Sequence, residues 1–243
     1  MTRLDVELVE RGLARSRSHA KDLIRSGKVR VNGSEVFKPA LDVDPGADIR
    51  ADDDPWVSRA AHKLIGALDQ SGIDVAGKRV LDAGASTGGF TQVLLSRGAA
   101  EVYAVDVGHD QLAPSLRHDP RVHVREGLNL RHLTVDDVGS TPCDLVVGDV
   151  SFISLTLILE PVFSVLSPDA VALLLVKPQF EVGRSHLDSH GVVTDPQVRD
   201  QAVRAVIDHA AQLGWQCFWR SVSVVAGEKG NLEEFVALWK TAG

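Results

Sequence analysis

"VLDAGASTGGFTQVLL", residues Val80 to Leu95, sets an apolar run before three glycines and an amphipathic run behind them. That is the outline of a strand, a tight turn and a helix, the unit with which α/β folds hold nucleotides. The glycines are Gly84, Gly88 and Gly89, which is not the G-x-G-x-x-G spacing of dinucleotide folds. Ala85, Ser86 and Thr87 intervene, and no lysine follows as it would in a phosphate-binding P-loop. A turn of this kind suits a ligand without phosphates.

Outward from this turn, strands and helices alternate. The pattern predicts strands at Arg79–Asp82, Glu101–Val105, Val122–Arg125, Asp144–Asp149, Val171–Val176, Gln216–Val224 and Glu234–Trp239. It predicts helices at "SRAAHKLIGALDQSG", Gly89–Arg97, His109–Leu116, Leu155–Leu166 and Pro196–Leu213, with Leu128–Pro142 ambiguous. Such alternation gives a mainly parallel sheet covered on both faces. Only "AGEKGN" separates the last two strands, too short for a crossover helix, so they form an antiparallel hairpin at a sheet edge. Five parallel strands with a terminal hairpin is the Rossmann-like, seven-stranded layout of many methyltransferases that use S-adenosylmethionine.

That cofactor fits the turn. Asp106 ends the second strand, 22 residues beyond Gly84, where a carboxylate accepts both ribose hydroxyls. Asn129 follows the third strand, where adenine would lie, and Asp82 is placed to pin the turn amides or meet the methionine amine. The predicted cofactor set is Asp82, Gly84, Ser86, Thr87, Gly88, Gly89, Phe90, Asp106, Val107 and Asn129. The plainer alternative is that the glycines only permit tight packing.

The 243 residues divide into a small α+β domain with its linker, 1–54, and the larger domain, 55–243. The first reads as two short helices, "DVELVERGL" and "SRSHAKDLIRSG" with Ser16 as cap, then a hairpin around Asn32-Gly33. The Asp/Pro/Gly-rich stretch from Asp42 to Pro55 reads as its edge and linker. Net charge is −7, yet Arg11 to Arg30 holds seven cations against Asp22 alone. A concentrated basic module on an acidic protein predicts polyanion binding, through Arg15, Arg17, Lys21, Arg25, Lys28 and Arg30. No aromatic residue interleaves them, which favours the backbone of folded RNA.

The longest apolar run, Ala170–Val176, is too short to span a bilayer. The N-terminus lacks the apolar segment of a signal peptide, and Cys143 and Cys217 form no C-x-x-C pair. A soluble, cytoplasmic, monomeric protein is expected. His186, Asp188 and His190 alternate like metal ligands but lack a fourth partner, so no metal is expected.

"LDAGASTGGFTQVLL", "VDVGHDQLAPSLRHDPRV", "DVSFISL", "VKPQFEVG" and "GVVTDP" resemble the TlyA (hemolysin A) family of ribosomal RNA 2′-O-methyltransferases. That family joins an FtsJ-like methyltransferase domain to a small RNA-binding domain first known from a ribosomal protein. "LDVELVERGLARSRSHAKDLIRSGKVRVNG" is similar to the latter. The sequence departs from the pattern at His109 and Pro114, where aromatic residues are expected, at "RSHLDSH", and in a short C-terminus.

The resemblance implies a catalytic tetrad, Lys63, Asp149, Lys177 and Glu233. Topology tests it separately. Asp149 and Lys177 follow the fourth and fifth strands, Lys63 opens the helix before the first, and Glu233 precedes an antiparallel last strand. All four then reach the carboxyl-end cleft. Lys177 is expected as base, Lys63 and Glu233 as positioning groups and Asp149 as an electrostatic organiser. Proximity of the two lysines is expected to disfavour double protonation. Phe180, and secondly Phe152, are candidates to stack on a splayed base. Trp56 in the linker is a candidate to couple RNA and cofactor binding. The rival readings are a ribosome-binding or assembly factor with a silent methyltransferase fold and a membrane-active hemolysin. An NAD-dependent oxidoreductase is weaker still, because the glycine spacing fails.

Overall fold

The computed structural model describes residues 2–14, 16–52, 54–227 and 229–241. The chain forms two compact units, Met1–Pro55 and Trp56–Gly243. The first contains β1 (Thr2–Arg3), α1 (Leu4–Glu10), α2 (Arg17–Arg25), β2 (Val29–Val31), β3 (Ser34–Glu35), β4 (Asp42–Val43) and β5 (Ile49–Ala51). Ser16 Oγ caps α2 by accepting from His19 N at 3.2 Å. Asn32 and Gly33, at φ 50° and 82°, turn the β2–β3 hairpin. Leu4, Leu8, Leu23, Ile24 and Val29 pack into a core of this unit's own. The aspartate-rich stretch is more ordered than a linker, since β4 pairs with β1 and β5 with β2.

The second unit opens with α3 (Ala60–Ser71), β6 (Arg79–Ala83), α4 (Gly89–Ser96), β7 (Glu101–Asp106), α5 (Pro114–Arg117) and β8 (Val122–Glu126). It continues through β9 (Cys143–Gly148), α6 (Leu159–Ser164), β10 (Leu166–Val176), α7 (Pro178–Glu181), α8 (Pro196–Gln212), β11 (Trp215–Val222) and β12 (Glu234–Lys240). Seven strands form one sheet in the order β11-β12-β10-β9-β6-β7-β8. The five strands from β10 to β8 in this order run parallel, and β12 is antiparallel to both of its neighbours. Each face carries its own apolar layer, one built on α3 and α4 and the other on α6 and α8.

Two predicted helices are shorter than their apolar spacing suggested. His109–Leu116 is helical only from Pro114, because proline starts a helix at its first position and holds Ala113 extended (ψ 136°). Leu155–Leu166 breaks at Ile158 into a 3-10 turn and α6, since Pro161 cannot donate to a helix running through it. Its last residue, Leu166, belongs instead to β10, which pairs with Cys143 of β9 before an irregularity and resumes at Val171.

At the β6–α4 turn the glycines divide their work. Gly84 (φ 84°) faces the end of β9, where a Cβ would lie 3.1 Å from the Asp149 carbonyl. Gly88 (φ 96°) sits under Leu116, and a Cβ on Gly89 would meet Ser58 at 2.3 Å. These two serve close packing. Below the turn, Asp82 is fully buried and accepts from Thr91 Oγ1 at 2.6 Å, while its Oδ1 has no partner. Burial pushes this carboxyl up to about 7, opposed by the Thr91 hydrogen bond and aided by the charge of Asp149. Between about pH 4 and 7 the folded protein thus keeps a proton that the unfolded chain has released, so this group lowers stability as pH rises. Asp82→Asn removes that slope. Urea denaturation at pH 5 and pH 8 should show wild type losing more stability than the variant across the window, by at most roughly 3 kcal/mol.

Candidate active site

Strand register assembles four charged residues. Gly148 lies opposite Leu174 and Glu234 opposite Val176, so the residues just outside these pairs, Asp149, Lys177 and Glu233, meet at one sheet edge. Lys63, in the first turn of α3, reaches the same point. Lys63 Nζ donates to Glu233 Oε2 at 2.6 Å and lies 3.7 Å from Asp149 Oδ2. Lys177 Nζ lies 2.6 Å from Asp149 Oδ1 and donates to Ser151 Oγ at 2.7 Å. The order Glu233–Lys63–Asp149–Lys177 therefore alternates in sign. All four are largely removed from water, Glu233 most of all at 2% exposed. The expected lysine–lysine contact is replaced by a carboxylate between them, which is how two buried cations coexist.

Sequence reasoning missed the polar residues that hold this chain of charges. Gln179 Nε2 donates to Glu233 Oε1 at 3.0 Å, fixing its second oxygen. Glu181 accepts from Ser154 Oγ at 2.5 Å and Leu155 N at 2.8 Å, tying α7 to the loop after β9. Burial raises the Glu181 carboxyl, against the pull of these two donors. Asn231, 3% exposed, accepts from Val193 N and donates to the Gly191 carbonyl, binding the loop before β12 to the loop after α7. The one signal for these residues was their place within "DVSFISL", "KPQFE" and "GNLEE", beside predicted site positions.

Beside the cluster opens a cavity of about 1080 Å³, large enough for a nucleoside-sized ligand. Gly84, Ser86, Asp106, Val107, Asn129 and Asp149 all contribute to its wall. Asp106 Oδ2 accepts from Ser86 N at 2.8 Å and Oδ1 from Gly108 N at 2.7 Å, so its carboxylate is held at the cavity by the glycine turn and the β7 loop. Gln111 lines the same side, its amide oxygen 3.2 Å from Ser86 Oγ. The remaining predicted cofactor residues lie elsewhere. Asp82 is beneath the turn, Thr87 accepts from Ala113 N, Gly88 and Gly89 pack against α5 and α3, and Phe90 stacks on Phe235 in the core. Their contribution is to shape the turn.

At the cavity mouth Phe152 is 91% exposed in a left-handed conformation (φ 65°), its ring 5.1 Å from that of Phe180. An exposed phenylalanine held in that region is a strain that clusters at functional sites. In the loop beyond, Asp188 accepts from His190 N and Val192 N and thereby shapes the turn. Among the described residues no three metal-ligating side chains gather.

On the small unit, Arg17, Lys21 and Arg25 recur every four residues along α2, forming a stripe that flanks the buried Ala20, Leu23 and Ile24. Lys28 and Arg30 follow on β2 and the turn before it. Arg17 is partly engaged by the buried Asp5 at 3.2 Å and Arg30 by Glu35 at 3.5 Å. Lys21, Arg25 and Lys28 have no acidic partner among the described residues. Arg15 lies outside the described residues. No described helix is long and apolar enough to cross a membrane.

Residues 56–240 match the FtsJ-like methyltransferase family model and residues 2–49 the S4 domain. The 16S/23S rRNA (cytidine-2′-O)-methyltransferase TlyA of Mycobacterium tuberculosis is 52% identical over 240 residues, covering 98% of this chain and 88% of that one. A solved Streptococcus thermophilus structure that carries the name hemolysin is 36% identical, with a TM-score of 0.79 over 100% of this chain and 89% of the other. A Listeria monocytogenes protein described as an S-adenosylmethionine-dependent methyltransferase shares the fold of the larger unit, at 18% identity and a TM-score of 0.57, over 76% of this chain and 100% of its own. The chain belongs to the TlyA family, an FtsJ-like methyltransferase domain joined to an N-terminal S4 domain.

Proposed function

We propose that this protein methylates a ribose 2′-hydroxyl of ribosomal RNA within ribosomal subunits, with S-adenosylmethionine as donor. The observation that carries the reading is the Glu233–Lys63–Asp149–Lys177 chain at the wall of the cavity that Gly84 and Asp106 also line. Its residues fit such a donor. Gly84 leaves the turn without a side chain beside Asp149, and each Asp106 oxygen keeps a lone pair for a ribose hydroxyl beyond the amide it already accepts. Asn129 stands at the adenine end of the wall. When bound there, the cofactor supplies a methyl group activated by its sulfonium.

The chain's own residues do the rest. A 2′-hydroxyl is a weak nucleophile, so its proton must be taken as the oxygen forms its bond to carbon. Lys177 Nζ, neutral at that moment, takes the proton, and the carbon–sulfur bond breaks with its electron pair left on sulfur. Asp149 holds Lys177 from one side and Lys63 from the other. Lys63 and Glu233, with Gln179 behind them, fix Asp149 in turn. Phe152 and Phe180 offer two ring faces at the mouth for the base of the target nucleotide. The cations of α2 and β2 grip phosphates elsewhere on the folded RNA. Since all four tetrad residues come from one chain, a monomer suffices, and a ribosomal substrate sets its work in the cytoplasm. The hemolysin reading draws support only from names carried by relatives.

With purified subunits and labelled cofactor, wild type should transfer methyl and Lys177→Ala should lose at least about 100-fold in rate while cofactor affinity by calorimetry stays put. Undiminished transfer by that variant removes Lys177 from the role of base. Replacing Lys21, Arg25 and Lys28 together with alanine should weaken subunit binding uniformly and flatten its salt dependence by roughly 0.7–0.9 for every phosphate no longer neutralised. An unchanged slope in a filter-binding salt titration assigns RNA binding to other residues.

A further inference from the structure

Ser151 stands between the charge chain and the cavity. It is exposed on the cavity wall, yet its Oγ accepts from Lys177 Nζ at 2.7 Å. Asp149 Oδ1 lies 2.6 Å from the same nitrogen, an ion-pair contact in which this oxygen accepts no hydrogen bond. A neutral amine at the end of a carbon stem has two hydrogens to donate and one lone pair to offer. The bond to Ser151 fixes one of these hydrogens, and the Asp149 charge beside the nitrogen draws the other N–H toward itself, so the lone pair is turned away from both groups. Without the serine, the amine rotates about its Cδ–Cε and Cε–Nζ bonds, and the lone pair sweeps across several directions.

The loop that carries Ser151 is anchored for this task at both ends. Asp149 N donates to the Ala83 carbonyl at 3.1 Å, and Ser154 and Leu155 are held by the Glu181 carboxylate. Between these anchors Phe152 takes a left-handed backbone, a conformation that the fixed ends impose on a non-glycine residue. A serine in a preorganised loop holds its hydroxyl in place before the substrate arrives.

We infer that Ser151 is a positioning residue for methyl transfer: by accepting a hydrogen bond from Lys177 beside the Asp149 charge, it fixes the rotation of the amine and aims its lone pair at the ribose 2′-hydroxyl. This rests on the reading of Lys177 as base. The proton balance is simple. Lys177 gains the hydroxyl proton and becomes an ammonium whose third hydrogen points along the former lone pair, while Ser151 neither gains nor loses a proton. Because Ser151 touches the base and not the reacting atoms, its loss lowers turnover without weakening either ligand.

The test is steady-state kinetics of Ser151→Ala and Ser151→Thr on purified ribosomal subunits with labelled S-adenosylmethionine, beside wild type and Lys177→Ala. Ser151→Ala is expected to lower kcat by roughly 10- to 100-fold. Its KM for subunits and cofactor Kd should stay within about twofold, and Ser151→Thr, which keeps the hydroxyl, should recover most of the turnover. Thermal unfolding of both variants should match wild type, since the side chain is exposed. A Ser151→Ala kcat equal to wild type, a loss carried by KM or Kd, or failure of threonine to rescue overturns the inference. An inactive Lys177→Ala beside an active Ser151→Ala sinks only the role of Ser151. An active Lys177→Ala sinks the base assignment and this inference with it.

Discussion

Two lysines can share the buried end of a sheet only if carboxylates separate them, because each unpaired charge taken from water costs several kcal/mol. Asp149 is that separator, touching both lysines from the loop after β9. Everything else at the site follows from satisfying it. Glu233 balances the outer lysine, Gln179 holds the second oxygen of Glu233, and Ser151 takes the remaining contact of Lys177. The result is a row of two positive and two negative groups, neutral in sum, beside the cavity that Asp149 also lines. A fixed row of this kind needs no rearrangement when charge shifts along it, which is the property expected of a preorganised site.

The backbone supplies that row through register more than through loop design. Gly148 opposite Leu174 and Val176 opposite Glu234 bring three strand ends level, and α3 starts where β6 will end. Close approach between β6 and β9 is possible because Gly84 has no side chain, and close approach of α4 to α3 because Gly89 has none. The glycine-rich turn is thus as much a packing device as a ligand cradle. Its buried carboxyl, Asp82, works on the hidden side of the same turn through Thr91.

Much of this was legible from residue order. Buried parallel strands read as apolar runs, as in "VALLLV", so all seven strands stood out, and strand direction alone sent Lys63, Asp149, Lys177 and Glu233 to one edge. Asp106 and Asn129 were expected at the cavity wall for the same reason, since they lie at and just after strand ends, and both line it. The residues that escaped, Ser151, Gln179, Glu181 and Asn231, are short-range polar partners whose roles exist only once two loops are juxtaposed. Apolar spacing also overrode proline, so α5 and α6 came out too long although Pro114 and Pro161 were in plain view. Gly88, Gly89 and Phe90 were assigned to the ligand because their neighbours in sequence face it, while their own side of the turn faces the core.

β12 is the last strand in the chain, yet it lies inside the sheet between β10 and β11. Glu233 stands at its threshold and contacts Lys63, 170 residues earlier. During synthesis, the parallel strands, the cofactor turn and both lysines all emerge before the strand that neutralises them. A growing chain therefore carries an unbalanced, open-edged site until β12 is threaded between its neighbours. The site is thus completed only when β12 inserts between β10 and β11, and until then its lysines lack one of their two carboxylate partners.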